Sequence, residues 1–170
     1  MFAYARFSIV LCLLCLGATG LVSAQSLPAA PACALAKAPA ASFTVRVPFD
    51  VVDGRIYVQA QVNGRGPFRF AVDTGASGLG RADKSLVSAL DLKIHGTSST
   101  SDGVQSATVD TVRLDSLQLG GLSRQGFEVI ARDYGSRMKA EAAFHGILGR
   151  EFFADGLLIL DYPTKTLSFS

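Results

Sequence analysis

One carboxylate, that of Asp73, stands where a catalytic acid or base would be expected. The stretch Phe70–Ser77 reads F-A-V-D-T-G-A-S, so an apolar strand ends in an Asp-Thr-Gly turn. Period-two alternation predicts the strand, and Gly75 gives the backbone freedom for a sharp turn. The small residues that follow leave room for a ligand or another backbone. Asp-Gly turns also occur without any catalytic role, so the tripeptide alone leaves both interpretations open.

Three longer blocks of sequence, at residues 55–77, 145–153 and 157–169, carry a resemblance. They resemble the retropepsin-like aspartic proteases, in particular their exported bacterial members. Arg55–Ser77 is similar to the paired strands and active-site loop of that family. His145–Phe153, H-G-I-L-G-R-E-F-F, resembles its second signature, and Leu157–Phe169 resembles its terminal hairpin. The resemblance implies an aspartic endopeptidase with a mostly β fold, a small closed barrel that carries one or two short helices.

The resemblance also assigns roles to individual residues. Asp73 is implied to be catalytic. Support for the active-site loop comes from Thr74, Gly75, Ala76 and Ser77, and from Ile147, Leu148 and Gly149 of the second signature. The Ser77 hydroxyl is implied to hydrogen-bond the aspartate and fix its position.

Aspartic protease chemistry needs a second carboxylate close to the first. Two like charges about 3 Å apart cannot both ionise, so one carboxylate acts as a base while the other acts as an acid. The chain holds a single Asp-Thr-Gly, which predicts a homodimer with one Asp73 from each copy. The other candidates, Asp50, Asp53, Asp155 and Asp161, have turn contexts. A non-catalytic module that binds a peptide or ligand on the same fold is the alternative.

A polar, Gly- and Ser-rich segment between two apolar stretches is a candidate lid. Gly96–Ala107 reads G-T-S-S-T-S-D-G-V-Q-S-A, and its Asp-Gly pair favours a hairpin turn. Its position after the active-site loop is that of the family's flap, which closes over a bound peptide. The predicted substrate-binding tip is Ser101, Asp102, Gly103 and Val104. A disordered surface loop remains the alternative.

The N-terminal 42 residues are not expected to join the folded domain. Residues 1–24 have an early Arg6, an apolar stretch and the small residues V-S-A before Gln25, which is typical of a secretory signal peptide. An uncleaved anchor is disfavoured because the apolar run is shorter than a membrane span. Residues 25–42 are rich in Ala and Pro and predict an exposed arm. One protease domain at 43–170 is expected, in the periplasm or secreted.

Composition narrows the range of partners. The chain has 16 Lys and Arg against 14 Asp and Glu, with no basic run that would suggest nucleic acid. His95 and His145 lie in no metal-ligand spacing, so no metal and no cofactor is expected. Outside the predicted signal the only cysteine is Cys33, which excludes a disulfide core. The expected partners are a peptide or protein substrate and a second copy, with no membrane contact after signal cleavage.

Periodicity predicts the elements that carry the site. Strands are expected around residues 43–49, 56–62, 68–72, 108–119 and 127–131, with tight turns at Asp53-Gly54 and Asn63-Gly64. Asp83 is expected to cap a short helix that ends near Leu92. A helical turn is predicted over residues 138–144, a buried strand at Ile147-Leu148 and a short helix over residues 151–154.

Overall fold

The computed structural model describes residues 45–101 and 106–170, and these residues form a mostly β fold. The predicted signal peptide, the arm and the flap-tip residues Asp102, Gly103 and Val104 lie outside the described residues. The strands are β1 Val45–Pro48, β2 Asp50–Val52, β3 Arg55–Val62, β4 Arg65–Val72, β5 Gly80–Asp83, β6 Ile94–Ser101, β7 Ser106–Leu119, β8 Leu122–Arg132, β9 Gly146–Leu148, β10 Leu158–Asp161 and β11 Thr166–Phe169. Helix α1 spans Lys84–Leu90, and 3-10 turns occur at Gly135–Arg137, Ala140–Ala142 and Arg150–Phe153.

Six strands pair in a ring. The larger sheet has the order β2-β3-β4-β9-β5-β8-β7-β6, and β3 pairs a second time with β7. That second pairing is short, joining Gln61 to Gln118 and Val62 to Leu117, yet it connects the two sides of the sheet. Strands β1, β11 and β10 form a separate three-stranded sheet. The mostly β fold class expected from the sequence is confirmed.

The two tight turns adopt the backbone that their sequences favour. Asp53 and Gly54 have φ values of 48° and 73°, and Asn63 and Gly64 have values of 51° and 70°. Two consecutive residues with positive φ match the right-handed twist of the paired strands, which is why Asp-Gly and Asn-Gly recur there. The side chain of Asn63 also accepts the amides of Asp115 and Ser116, at 2.9 and 3.0 Å. The hairpin is thereby fastened to β7.

Alternation along the strands separates two apolar clusters. The larger one fills the ring and includes Val58 and Leu114, both about 1% exposed. The smaller one lies on the other face of β3 and β4 and consists of Tyr57, Ala71, Ala76, Phe144 and Ile147. Because neighbouring residues of a strand point to opposite faces, Tyr57 and Val58 serve different clusters.

The smaller cluster fastens the connection between β8 and β9. The Tyr57 hydroxyl donates to the Ala142 carbonyl oxygen at 3.1 Å. The Arg69 guanidinium stacks on the Tyr57 ring, 3.9 Å from its centroid, and donates to the carbonyl oxygens of Glu141 and Ala143. A buried Tyr is expected to find such a hydrogen-bond partner. The segment is thus held against β3 and β4.

The elements predicted between β5 and the C-terminus are present with small shifts in their bounds. Of the helical turn predicted over residues 138–144, only Ala140–Ala142 is helical, as a 3-10 turn, and another 3-10 turn at Gly135–Arg137 precedes it. The short helix predicted at 151–154 is a 3-10 turn that begins one residue earlier. The polar run predicted as a hairpin lid contains most of strand β6, which pairs with β7 as far as Ser101 opposite Ser106. No helix in the described part of the chain is long and apolar enough to cross a membrane.

Asp83 joins helix α1 to the segment that follows β8. It precedes the helix with extended backbone and accepts the Ser85 amide at 2.8 Å, as the sequence predicts for an N-cap. Its other oxygen accepts the amides of Tyr134 and Gly135, at 2.8 and 3.1 Å. Burial raises the pKa of this carboxyl, but the hydrogen bonds from Ser85, Tyr134 and Gly135 outweigh burial and lower the pKa below its ordinary value.

We expect Asp83→Asn to lower the free energy of unfolding by about 1–3 kcal/mol at pH 7, because an amide oxygen cannot accept all these bonds. A lowered folded-state pKa contributes stability above the unfolded value of about 3.9, and this contribution is lost as pH falls through the folded-state pKa. The difference in the free energy of unfolding between wild type and variant should therefore become smaller in acid. Urea unfolding at pH 7, 5 and 3 measures it.

The exposed residue Asp91, at the other end of the same helix, provides a matched control. Asp91→Asn should change stability by less than about 0.5 kcal/mol, because its side chain is exposed and its left-handed backbone also suits Asn. A gap between wild type and Asp83→Asn that is the same at all three pH values would show that the charge of Asp83 is unimportant.

Candidate active site

Asp73 is the first residue after β4 and begins the loop that leads to β5. Strand β9 lies between these two strands, parallel to β4 and antiparallel to β5. The loop must therefore pass around the end of β9. The Asp73 amide donates to the Leu148 carbonyl oxygen at 3.0 Å, which continues the β4–β9 pairing by one hydrogen bond. The aspartate thus starts from a backbone position that two strands hold.

The side chain of Asp73 is exposed and is held by the backbone of its own loop. The Gly75 amide donates to Asp73 Oδ1 at 3.0 Å, and the Ala76 amide donates to the Asp73 carbonyl oxygen at 3.1 Å. Among the residues that the structure describes, Asp73 Oδ2 has no hydrogen-bond partner. The bond expected from the Ser77 hydroxyl is absent, and the Ser77 side chain is exposed. Thr74 is exposed as well.

Gly149 packs against the backbone of the loop that begins at Asp73. Its amide donates to the Leu79 carbonyl oxygen at 3.0 Å, and the next amide, of Arg150, donates to the Ala76 carbonyl oxygen at 2.9 Å. A Cβ added at Gly149 would overlap the Gly78 carbonyl oxygen and would lie 3.0 Å from that of Ala76. The backbone approach therefore requires glycine here for steric reasons, since its φ of −87° is open to any residue.

Three adjoining cavities open around Asp73. Their volumes are about 370, 340 and 560 Å³, and each is lined by both Asp73 and Ile147. The 370 Å³ cavity reaches Thr100 and Ser101 near the end of β6, so the proximal part of the predicted flap borders the aspartate. We refer to the three cavities together as the Asp73 cleft. The structure therefore places the active-site loop, Ile147 and Ser101 at one cleft.

The far wall of the cleft comes from the connection between β8 and β9, which the sequence analysis did not assign to the site. Tyr134, Met138 and Phe144 line the 560 Å³ cavity, and the rings of Tyr134 and Phe144 lie 5.9 Å apart. The Tyr134 hydroxyl is buried and has no hydrogen-bond partner among the described residues. Large apolar residues spaced through an otherwise polar connection were the signal available in the sequence.

Asp53 is the other carboxylate on the walls of the Asp73 cleft, among the residues described. It belongs to the β2–β3 turn. Asp161, by contrast, ends β10 in the smaller sheet, and its side chain accepts the Thr164 amide at 3.2 Å. Asp155 has a φ of 64° and lies in a turn. The described chain therefore does not place a second carboxylate on the active-site loop beside Asp73.

The two histidines have separate structural surroundings. His95 lies at the start of β6, and its Nε2 is 3.0 Å from Glu128 Oε1. The His145 ring packs on the Phe68 ring, with centroids 5.2 Å apart. Residues 45–101 and 106–170 contain no group of three or more His, Cys, Asp or Glu side chains that could hold a metal ion.

Comparison with known proteins identifies the family. A family model described as "Aspartyl protease" matches residues 58–152, which include the Asp73 loop, strands β6 and β7 and all but the last residue of the second signature. The chain belongs to the aspartyl protease family. This aspartyl protease domain is also similar in fold to the crystal structure of a retropepsin-like aspartic protease from Rickettsia conorii. No curated protein matches the chain.

The structural match extends beyond the segment that defines the family. It covers 74% of this chain and 88% of the Rickettsia protein, with a TM-score of 0.50 and 21% sequence identity. At that sequence identity the match shows similarity of fold alone. Together with the family match, it confirms that the resemblance to retropepsin-like proteases reflects the fold of this aspartyl protease.

Gly149→Ala should lower any activity that depends on Asp73 more than it lowers the stability of the aspartyl protease domain. The added methyl would push against two carbonyl oxygens of the loop, with a cost of about 1–3 kcal/mol for such overpacking. Because those carbonyls belong to the segment that holds Asp73, any activity that depends on Asp73 should fall further than stability does. Thermal unfolding and a peptide-cleavage assay on the same preparation test this.

Gly64→Ala is the matched glycine control. Gly64 has positive φ in the β3–β4 turn but no atom within 4 Å of an added Cβ, so only backbone strain of about 1–2 kcal/mol is expected. If both variants retain equal activity at equal stability, Gly149 does not position the loop.

Proposed function

We propose that the chain is an aspartic endopeptidase in which Asp73 activates the water that attacks a peptide bond. The observation that carries the proposal is the state of the Asp73 carboxylate, which is exposed at the end of a strand and held on one oxygen. Its Oδ1 accepts the Gly75 amide, while Oδ2 faces no hydrogen-bond partner in the described residues. A carboxylate fixed in this way remains available for proton transfer at the cleft.

The proposed reaction uses two carboxylates that share one proton. The ionised carboxylate accepts a proton from water as the water oxygen bonds to the carbonyl carbon, and the protonated carboxylate donates its proton to the carbonyl oxygen. The tetrahedral intermediate then collapses. Its C–N bond breaks, the amine leaves with a proton from the first carboxylate, and a hydroxyl proton returns to the second.

The second carboxylate is proposed to be Asp73 of another copy of the chain. Asp53 lies on a hairpin turn and Asp161 lies in the other sheet, so neither shares the active-site loop. A two-fold axis beside Asp73 would bring two identical loops together and place the two aspartates face to face. The homodimer therefore completes the site with the residues already present.

The β6–β7 hairpin is proposed to act as the flap. Its two strands are paired along their length, and Thr100, Ser101 and Ala107 line the 370 Å³ cavity next to Asp73. An extended peptide in the Asp73 cleft would lie between this hairpin and the active-site loop. Closure of such a hairpin excludes bulk water from the reaction.

Export to the periplasm or beyond is proposed from residues 1–24 alone. Their early positive charge, apolar stretch and V-S-A ending support cleavage before Gln25. The Ala- and Pro-rich arm at residues 25–42 would then precede the protease domain.

Asp73→Asn should abolish cleavage of an unfolded protein between about pH 3 and 7, a loss of at least about 10²–10⁴-fold. Asp161→Asn should leave cleavage unchanged, because the amide oxygen can still accept the Thr164 amide and the residue lies in the other sheet. Pepstatin-type inhibition provides an independent readout. A folded dimer that cleaves nothing at any of these pH values would instead support a non-catalytic binding module.

Mixing wild-type and Asp73→Asn chains tests whether the dyad spans two copies. If each site needs one Asp73 from each chain, activity after co-refolding should fall with the square of the wild-type fraction. A mixture with half wild-type chains would then keep about one quarter of the activity, on statistical pairing of equivalent subunits.

A site built within one chain gives a linear decrease in the same experiment, and that result would reject the shared dyad. Asp53→Asn completes the test. Activity that is lost in Asp53→Asn, together with a linear mixing curve, would assign the second carboxylate to the same chain.

A further inference from the structure

Two arginines stand beside Asp73 in the 370 Å³ cavity. Arg81 lies on β5 and Arg132 at the end of β8, and the cavity has no acidic lining residue other than Asp73 among the residues described. The two strands are parallel neighbours, with Arg81 opposite Ile130. Since side chains two residues apart point to the same face of a strand, Arg132 shares the face of Ile130 and Arg81. Both cations therefore lie on the sheet face that borders the cleft.

Arg81 lies between apolar residues of the two neighbouring strands. Its register partners are Ile130 on one side and Ile147 on the other, and Ile147 lines every part of the Asp73 cleft. The side chain is half-buried. An arginine in this position packs its aliphatic stem along the isoleucines and presents the guanidinium at the cavity. Partial removal of that charge from water is unfavourable unless an anion or an acceptor joins it.

Neither arginine has an acidic partner in the described part of the chain. Ion pairs within 4.0 Å involve Lys84, Lys93, His95 and Arg150 instead. The nearest carboxylate by register, Asp83 opposite Arg132, accepts the amides of its own helix cap and of the segment after β8. Within residues 45–101 and 106–170, the two guanidinium groups at the cleft thus have no carboxylate within 4.0 Å.

We propose that Arg81 and Arg132 form a subsite for an acidic side chain of the substrate. The protease would then prefer peptides that carry Asp or Glu close to the cleaved bond. The planar guanidinium donates two parallel N–H bonds to a carboxylate, a geometry that an amide or an ammonium side chain cannot match. This inference rests on the proposed peptidase function for the choice of ligand, and the binding measurement described below does not depend on catalysis.

The ordinary interpretation of an exposed arginine is a solvated surface charge, which fits many arginines of this chain. Three features set this pair apart. The two share one sheet face, Arg81 is half-buried between isoleucines, and both line the cavity that contains Asp73. Arg65 shows the contrast, because it is exposed at the start of β4, at the opposite end of the strand that leads to Asp73.

The first measurement is equilibrium binding to the purified Asp73→Asn chain, in which the proposed catalytic carboxylate is removed so that a bound peptide is not cleaved. The probes are two pools of fluorescein-labelled octapeptides that differ only at one central position, Asp or Glu in one pool and Asn or Gln in the other. Fluorescence anisotropy should give about tenfold tighter binding of the acidic pool, as expected for one charge-assisted hydrogen-bonded pair. The preference should weaken as salt is raised.

The variants assign that preference to the two arginines. Arg81→Glu and Arg132→Glu, each in the Asp73→Asn background, should remove the preference for the acidic pool, and Arg81→Lys should restore part of it. Arg65→Glu makes the same charge change away from the cleft and should keep the preference. Circular dichroism and thermal unfolding on each variant confirm that the fold is retained.

The second measurement is cleavage by the wild-type chain of a peptide library made from an unfolded proteome, with the cut sites read by mass spectrometry. Asp and Glu should be enriched near the cut bond for wild type and for Arg65→Glu, and the enrichment should disappear for Arg81→Glu. A structural role for Arg81 would lower cleavage of all peptides equally and leave the pattern of cut sites unchanged.

The outcomes separate this inference from the proposed function. Acidic preference in binding with no cleavage by wild type would support the subsite and reject the peptidase. Cleavage with no preference for acidic residues, or a preference that survives Arg81→Glu and Arg132→Glu, would overturn the subsite and leave the peptidase standing. Sedimentation could instead show that charge reversal shifts the monomer–dimer equilibrium while the peptide preference is unchanged. The arginines would then bind the second copy, and the subsite is overturned.

Discussion

The hydrogen bond from the Asp73 amide to the Leu148 carbonyl oxygen is the contact on which the site depends. It extends the pairing of β4 with β9, and β9 in turn separates β4 from β5. A loop that joins two strands across a third must pass close to the end of that third strand. This constraint explains why Gly149 lies against the Gly78 carbonyl oxygen with no space for a Cβ, and why the loop can hold Asp73 at a defined position.

A second constraint holds the opposite wall of the cleft. The connection from β8 to β9 contains little regular structure, so its backbone groups need partners from elsewhere. Asp83 accepts two of its amides at the start, and Tyr57 and Arg69 donate to its carbonyl oxygens near the end. These polar contacts come from strands of the ring, so the wall that carries Tyr134 and Phe144 is positioned by the same sheet that positions Asp73.

Local patterns predicted much of this arrangement. Alternation identified β3 and β4, the Asp-Gly and Asn-Gly pairs identified two turns, and Asp83 was expected to cap α1, because each depends on neighbours within a few residues. Strand β6 was less visible, since its Ser- and Thr-rich run has no apolar alternation and is a strand because β7 pairs with it. The Gly75 amide, rather than the Ser77 hydroxyl, holds the aspartate, at 3.0 Å from Oδ1.

The sequence by itself identified the aspartyl protease family, because Asp-Thr-Gly after an apolar strand and Ile-Leu-Gly before a short helix are local patterns that can be recognised without knowledge of the fold. Only the tertiary structure decided which distant residues share the cleft. Arg81, Arg132 and Tyr134 lie 8, 59 and 61 positions after Asp73, and none belongs to a motif. Their meeting depends on strand pairing across the ring, which is set by the packing of the whole sheet and not by any short stretch of the chain.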